Sequence, residues 1–197
     1  MKELVFLLEE DSAKAMLESL LPRILNPEIK ARLIPFEGKQ DLEKQMEKRM
    51  RGYVNPEARF IVLRDQDSAP DCKVVKAKLV ANCQQAGRAV KSLVRIACRE
   101  LETFYLADLN AVELGLQLKN LSKLQTTAKF RDPDHLGNPS KELAALTKGA
   151  YQKVSGSTAI AKYLDPANTR SPSFKNLLAG IGRMESELLS LPSHQSV

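Results

Sequence analysis

The sequence predicts an α/β protein: a three-layer α/β/α arrangement around a mainly parallel four-stranded sheet, with a helical extension at the C-terminal end. Three observations predict it. Over residues 1–117, four short runs rich in Leu, Val, Ile and Phe alternate with amphipathic stretches of helical spacing. Strands alternating with helices at that interval imply parallel βαβ units with right-handed crossovers and a sheet covered on both faces. Beyond residue 118 the strand-like runs stop, and turn formers and short helical patterns take over. With 197 residues, 43% hydrophobic and 27% charged, the chain has enough apolar surface for a real core.

Each element follows from local pattern. "LVFLL" (4–8) is an apolar run, and "SAKAMLESLLPRIL" after it spaces Ala13, Met16, Leu17, Leu20 and Leu21 as one helical face. "IKARLIPF" (29–36) alternates as a strand, and "KQDLEKQMEKRMRGY" sets Leu42, Met46, Met50 and Tyr53 on one side with charges elsewhere. "RFIVL" (59–63) reads as a buried strand, and "CKVVKAKLVANCQQAG" carries Cys72, Val75, Leu79 and Cys83 on one stripe, ending near Gly87. "SLVRIAC" (92–98) is the fourth strand, and "ELETFYLADLNAVELGLQL" predicts one continuous helix through Leu101, Tyr105, Leu109, Val112 and Leu116.

Residues 1–117 form the predicted core unit, 118–190 a helical and loop extension packed on it, and 191–197 a flexible tail. In the extension, Asn138 and Pro139 suit the start of a short helix and "STAIAKYLD" is another. "YQKVSGS" reads as a flexible Gly-Ser turn carrying Lys153. Ser171 and Pro172 cap and open a last helix whose face is Phe174, Leu177, Leu178, Ile181, Met184 and Leu188, expected to pack back on the sheet.

Composition narrows the function classes. The net charge of +6 and pI near 9.2 fit a polyanionic partner, although aromatics are 5% with no Trp, too few for a base-stacking platform. Arg95, Arg99, Lys129 and Arg131 are the candidate phosphate contacts, against the alternative of scattered surface charge. Three cysteines without a CxxC pair, and two histidines, leave few zinc ligands; buried free thiols in a reducing compartment are expected. No apolar run approaches the roughly 18 residues of a membrane span, and "MKELVFLLEEDS" lacks a signal peptide's features, so a cytoplasmic location with no membrane partner is expected. No GxxxxGKS loop is present, which counts against a nucleotide triphosphatase.

In open parallel sheets, ligand sites form beyond the carboxyl ends of the strands, where the strand order reverses. Glu9 and Glu10 follow the first strand, Asp65 and Asp67 the third, and Glu100 and Glu102 the fourth, so all three acidic groups fall on one edge. With the order 2-1-3-4, Glu9 and the aspartates converge at that point. Carboxylates so crowded raise one another's pKa or demand a cation, and hard oxygen ligands suit Mg2+ or Mn2+. The plain alternative makes Asp65 and Asp67 a turn before a helix capped by Ser68 or Asp71, and Glu9 and Glu10 helix-start acids. Glu37-Gly38-Lys39 after the second strand is a rival glutamate; it reads better as a turn into the second helix, with Lys39 within reach of phosphate as the further alternative. Glu100 and Glu102 diverge by about 200° in a helix, so one of them faces the site; Arg99 with Glu102 as an ion pair is the other reading.

"FLLEEDSAKAML" followed by "VLRDQDS" resembles the Toprim signature, a glutamate after the first strand and DxD after the third. The domain occurs in topoisomerases, primases, recombination proteins and the overcoming-lysogenisation-defect (OLD) nucleases. "FEGKQDL", "VLRDQDS", "CRELETFYLAD" and "YQKVSGSTAIAKYLD", in that order, resemble a bacterial family of small Toprim-type proteins, over roughly residues 3 to 180. The resemblance implies a Toprim-like sheet and Mg2+- or Mn2+-dependent phosphodiester chemistry on DNA or RNA. Glu9 is implied as ligand or general acid/base, Asp65 and Asp67 as metal ligands, Glu102 as ligand to a second ion, and Lys153 as the charge that stabilises the developing phosphate. It also implies a detached nuclease half served by a separate ATPase of the AAA/ABC type, in defence against mobile DNA. The sequence departs from the signature at Glu10, where glycine is usual, and at Ala13 and Lys14, where an acid is expected.

Overall fold

Apolar runs flanked by polar helices bury both faces by pairing side by side, and each of the four runs becomes a strand: β1 (Glu3–Leu8), β2 (Lys30–Pro35), β3 (Arg59–Asp65) and β4 (Ser92–Ala97). A computed structural model describes residues 1–192. All strand pairs are parallel, in the order β2-β1-β3-β4. Central β1 is buried at every position, whereas edge strand β2 is mostly half-exposed. Only a strand covered on both faces needs an unbroken apolar run.

Alternation along β1 feeds two cores. Leu4, Phe6 and Leu8 pack with Met16, Leu17 and Leu20 of α1 (Asp11–Ile24). Val5 and Leu7 face the opposite layer, made by Leu42, Met46 and Met50 of α2 (Lys39–Arg51) and Val75, Leu79 and Cys83 of α3 (Cys72–Gln85). The sheet therefore lies between two helical layers. The three cysteines are free thiols, but only Cys83 is buried. Cys72 opens α3 and Cys98 follows β4, so both sit half-exposed at the sheet's carboxyl edge, not buried as expected.

The helix expected over 100–118 is two: α4 (Glu102–Leu106) and α5 (Leu109–Gly115). Apolar periodicity runs straight through the break, so the cause is tertiary. Asp108 caps α5 by accepting from the Ala111 amide at 3.1 Å, and accepts from the Asp165 amide at 2.9 Å. Asn168 donates to the Ala107 carbonyl and Gln125 to that of Leu106, so carbonyls that a continuing helix would use are already satisfied.

α6 (Pro139–Leu146) begins at Asn138 and Pro139 as expected. α7 (Lys153–Ala161) starts four residues before the predicted "STAIAKYLD", so Lys153 opens a helix and does not ride a Gly-Ser turn. Gly156 is buried there because the Tyr151 ring lies against it; a Cβ would stand 2.5 Å from that ring. Gly115 is similarly constrained, with a Cβ meeting the Ile160 backbone at 2.7 Å, where α5 crosses α7.

α8 (Pro172–Leu189) is capped by Ser171, whose hydroxyl accepts from the Phe174 amide. It lies against β4, β3 and β1, burying Phe174, Leu177, Ile181, Met184 and Leu188, each worth about 1.5–3 kcal/mol over exposure. Leu178 is only half-buried. Beyond Pro192 the expected tail lies outside the described residues. Among those residues no helix is long and apolar enough to cross a membrane.

Because the Asp108 carboxylate satisfies two amides at the α4–α5 corner, Asp108→Ala is expected to lower stability by roughly 2–3 kcal/mol in urea unfolding. A loss under about 0.5 kcal/mol would mean that the corner is held by apolar packing alone.

Candidate functional site

The chain leaves β1 toward β2 and returns on the other side at β3, so the order reverses between these two strands. Leu8 is aligned with Leu63, which brings Glu9, one residue past β1, beside Asp65, the last residue of β3. The Glu9 carboxylate accepts from the Asp65 amide at 3.0 Å. The Asp67 carboxylate also acts on Glu9. The convergence expected at this edge is therefore present.

Electrostatic strain centres on Asp65. Burial, then the Glu9 and Glu102 carboxylates, push its pKa well above the ordinary range, offset in part by the Leu101 amide. No lysine or arginine pairs with it among the described residues. Glu9 is also raised, by burial first, with Asp67 and Glu10 adding to it against the Asp65 amide and Arg64. Arg64 is buried, 3.8 Å from Glu9 and 2.6 Å from Glu43, and its Nε has no hydrogen bond.

Asp67 takes the left-handed region, φ 55°, and its amide donates to the Arg99 carbonyl at 2.7 Å; Arg99 is itself left-handed at φ 66°. Asp67 pairs with Lys39 Nζ at 2.9 Å. The rival motif thus resolves as a turn, Gly38 at φ 94° leading into α2, with Lys39 directed at a site carboxylate. Asp71, not Asp65 or Asp67, caps α3.

From the fourth strand, Glu102 turns inward and Glu100 does not. Glu102, the first residue of α4, is 1% exposed and accepts from the Tyr151 hydroxyl at 2.9 Å; burial raises its pKa. Glu100 accepts from the Ser140 amide at 2.7 Å. No Arg99–Glu102 ion pair forms among the described residues.

Lys153 Nζ stands 3.2 Å from both oxygens of Glu10. Burial opposes its charge, yet Glu10, Glu102 and Asp65 hold its pKa above the ordinary value. Of the arginines and lysines considered for phosphate contact, Arg99 alone lines the carboxyl edge, in a hollow with Lys39 and Asp67. Arg95 donates to the Asn176 carbonyl and packs over Gly180 of α8; Lys129 pairs with Glu142 at 2.5 Å; Arg131 is exposed on the loop. His135 is exposed, with Asp132 for partner.

Sequence reasoning missed three groups here. Glu10 looked like a departure from a motif, yet it supplies the carboxylate on Lys153. Tyr151 holds Glu102, and Tyr105 is fully buried, its hydroxyl without a hydrogen-bond partner among the described residues. Burial pushes the Tyr105 pKa up, with the Glu102 and Asp65 carboxylates close enough to act on it. Three of the four tyrosines, Tyr105 and Tyr151 among them, lie within the quoted motif strings, a signal that apolar spacing disguised as core.

The donors fit a hard cation in kind, being carboxylate oxygens beside an unrelieved Asp65. As arranged, however, among the described residues no three His, Cys, Asp or Glu side chains form a ready-made metal cage.

An open parallel sheet with carboxylates gathered at its switch point places the protein among α/β folds whose site lies at the strand ends. The chain belongs to the family described as Domain of unknown function (DUF4276), whose model matches residues 8–182 and so spans every residue of this cluster. A solved structure, the C-terminal region of the Burkholderia pseudomallei OLD protein, shares the fold: TM-score 0.53 at 15% identity, covering 92% of this chain and 98% of that one. No curated protein matches.

Raised carboxyl groups in the native state set a pH dependence. Their stabilising contribution is complete below the unfolded value near about 4 and is lost as pH rises through the elevated folded values. Asp65→Asn is therefore expected to raise Tm at neutral pH in chelator, each kcal/mol showing as roughly 2–4 °C. The gain should shrink as pH falls and vanish below pH about 4, where wild-type Asp65 is protonated in both states. An equal Tm for the two proteins across that range would show that the crowding costs nothing.

Proposed function

We propose that the protein is a Mg2+- or Mn2+-dependent phosphodiesterase acting on DNA or RNA. The observation that carries this reading is Asp65, half-buried among Glu9, Glu10 and Glu102 at the switch point, with no cation of its own among the described residues. Like charges held together without a partner are unstable unless something positive arrives, and oxygen donors favour a hard divalent ion. Asp65, Asp67 and Glu9 would hold it, with Glu102 toward a second ion; it would polarise the phosphoryl oxygens and activate water.

The chain's own groups divide the remaining work. Glu9, with its raised pKa, can take a proton from the attacking water. Lys153, at the mouth of the cluster on α7, neutralises charge on the phosphate once a bound strand draws it from Glu10. Tyr151 fixes the orientation of Glu102. The Toprim-like motif and the fold shared with the OLD C-terminal region support this assignment. The same kinship supports a detached nuclease half working with a separate ATPase in bacterial defence.

A second reading is favoured by a specific observation. Lys39 on Asp67, Arg64 near Glu9 and Lys153 on Glu10 already occupy much of the cluster, and Glu10 stands where the signature has glycine. The protein would then be a non-catalytic member that docks on its ATPase.

Purified protein incubated with supercoiled DNA and with transfer RNA in Mg2+ or Mn2+ is expected to cleave one of them. Asp65→Ala should reduce cleavage to background, and Lys153→Ala should lower it by about 10²–10³-fold. Titration calorimetry with Mn2+ separates the readings: heat that disappears in Asp65→Ala supports the enzyme, and no heat in wild type supports the docking protein.

A further inference from the structure

Beside the carboxylate cluster lies a hollow of about 480 Å3 lined by Lys39, Asp67, Ser68, Arg99, Glu100 and the Gly137–Asn138 turn. Apart from Gly137, every lining side chain is charged or polar. Its two acids are already engaged, Asp67 by Lys39 and Glu100 by the Ser140 amide. Arg99 is not: its guanidinium makes no hydrogen bond or ion pair among the described residues. The Ser68 hydroxyl and the Asn138 amide are likewise without partners there, and Asn138 precedes α6 without capping it.

The backbone around this arginine is unusual. Arg99 and Asp67 both hold left-handed conformations that side chains other than Gly, Asn and Asp seldom adopt, and they are tied by the 2.7 Å bond between them. An arginine in that region costs conformational energy that glycine would not. A cation kept there, unpaired and facing a polar hollow, is arranged for an anion from outside.

We propose that this hollow seats a phosphate group of the polynucleotide strand, held by Arg99 and by Lys39 once Asp67 releases it, with Ser68 and Asn138 as further donors. The proposal rests on the polynucleotide reading above and adds a second contact to it, next to the reacting centre. Arg99 presents a planar fork that matches phosphate oxygens in pairs. Lys39 is the conditional partner: a competing cation on Asp67, or loss of the Asp67 charge, frees its ammonium for the anion.

The test is fluorescence anisotropy of a labelled single-stranded DNA oligonucleotide in chelator, where metal-dependent cleavage cannot proceed. Arg99→Gly suits the left-handed backbone and should fold at least as well as wild type, as thermal unfolding will report. It is expected to weaken binding roughly tenfold and to reduce the slope of log K against log salt by about 0.7, the value for one phosphate contact on a single strand. Arg99→Lys should recover part of the loss, and Lys129→Ala should change nothing. Asp67→Asn, also compatible with its backbone, should tighten binding, and Lys39→Ala added to it should cancel the gain. Inorganic phosphate should compete with the oligonucleotide on wild type and far less on Arg99→Gly. A folded Arg99→Gly with unchanged affinity and salt slope overturns the proposal while leaving the metal-dependent reading standing. Conversely, absence of cleavage in Mn2+ with Arg99-dependent binding intact removes that chemistry and keeps this seat.

Discussion

Like-charge crowding at the seam between β1 and β3 is the interaction on which the rest of the structure depends. Parallel register alone delivers Glu9 to Asp65, and the strand that ends in Asp65 has no freedom to carry its carboxylate elsewhere. The surroundings answer with positive charge at the periphery: Arg64 behind Glu9, Lys39 on Asp67 and Lys153 on Glu10. Among the described residues, Asp65 in the middle receives none. A fold that served stability alone would replace it, since a half-buried carboxylate among carboxylates opposes folding at neutral pH.

The helical part of the chain exists, in physical terms, to close this edge. The break at Asp108 keeps α4 short, and Glu102 stands at its first turn, buried and oriented by Tyr151 from the approach to α7. α7 packs on α1 and carries Lys153 to Glu10, two residues before the Ser12 that also donates to that carboxylate. Segments far apart in sequence therefore meet at one place because the same apolar core, on the α1 side of the sheet, holds them.

Much of this was legible from residue pattern. Four apolar runs separated by amphipathic helices fix a parallel sheet, and an acid after each of three strands marks the edge, since both facts are local and periodic. What escaped was set by distant partners. Apolar spacing through Leu101, Tyr105, Leu109 and Val112 promised one helix, and only Asp165, Asn168 and Gln125, up to about sixty positions away, end it. "YQKVSGS" looked flexible because Gly156 and its serines are turn formers; a glycine in α7 makes sense only once the Tyr151 ring is found covering it. The basic residues could not be sorted by sequence at all, because whether Arg95 meets Asn176 or solvent depends on where α8 lies.

The crossing of α5 over α7 has a bearing on the far side of the molecule. At residue 115 a single hydrogen atom is all that separates one helix from the main chain of the other at Ile160. Anything bulkier would act as a wedge, tilting the rod that ends in Lys153 and drawing its ammonium away from Glu10. A position with no side chain of its own thereby sets the spacing of charges at the opposite end of a nine-residue lever.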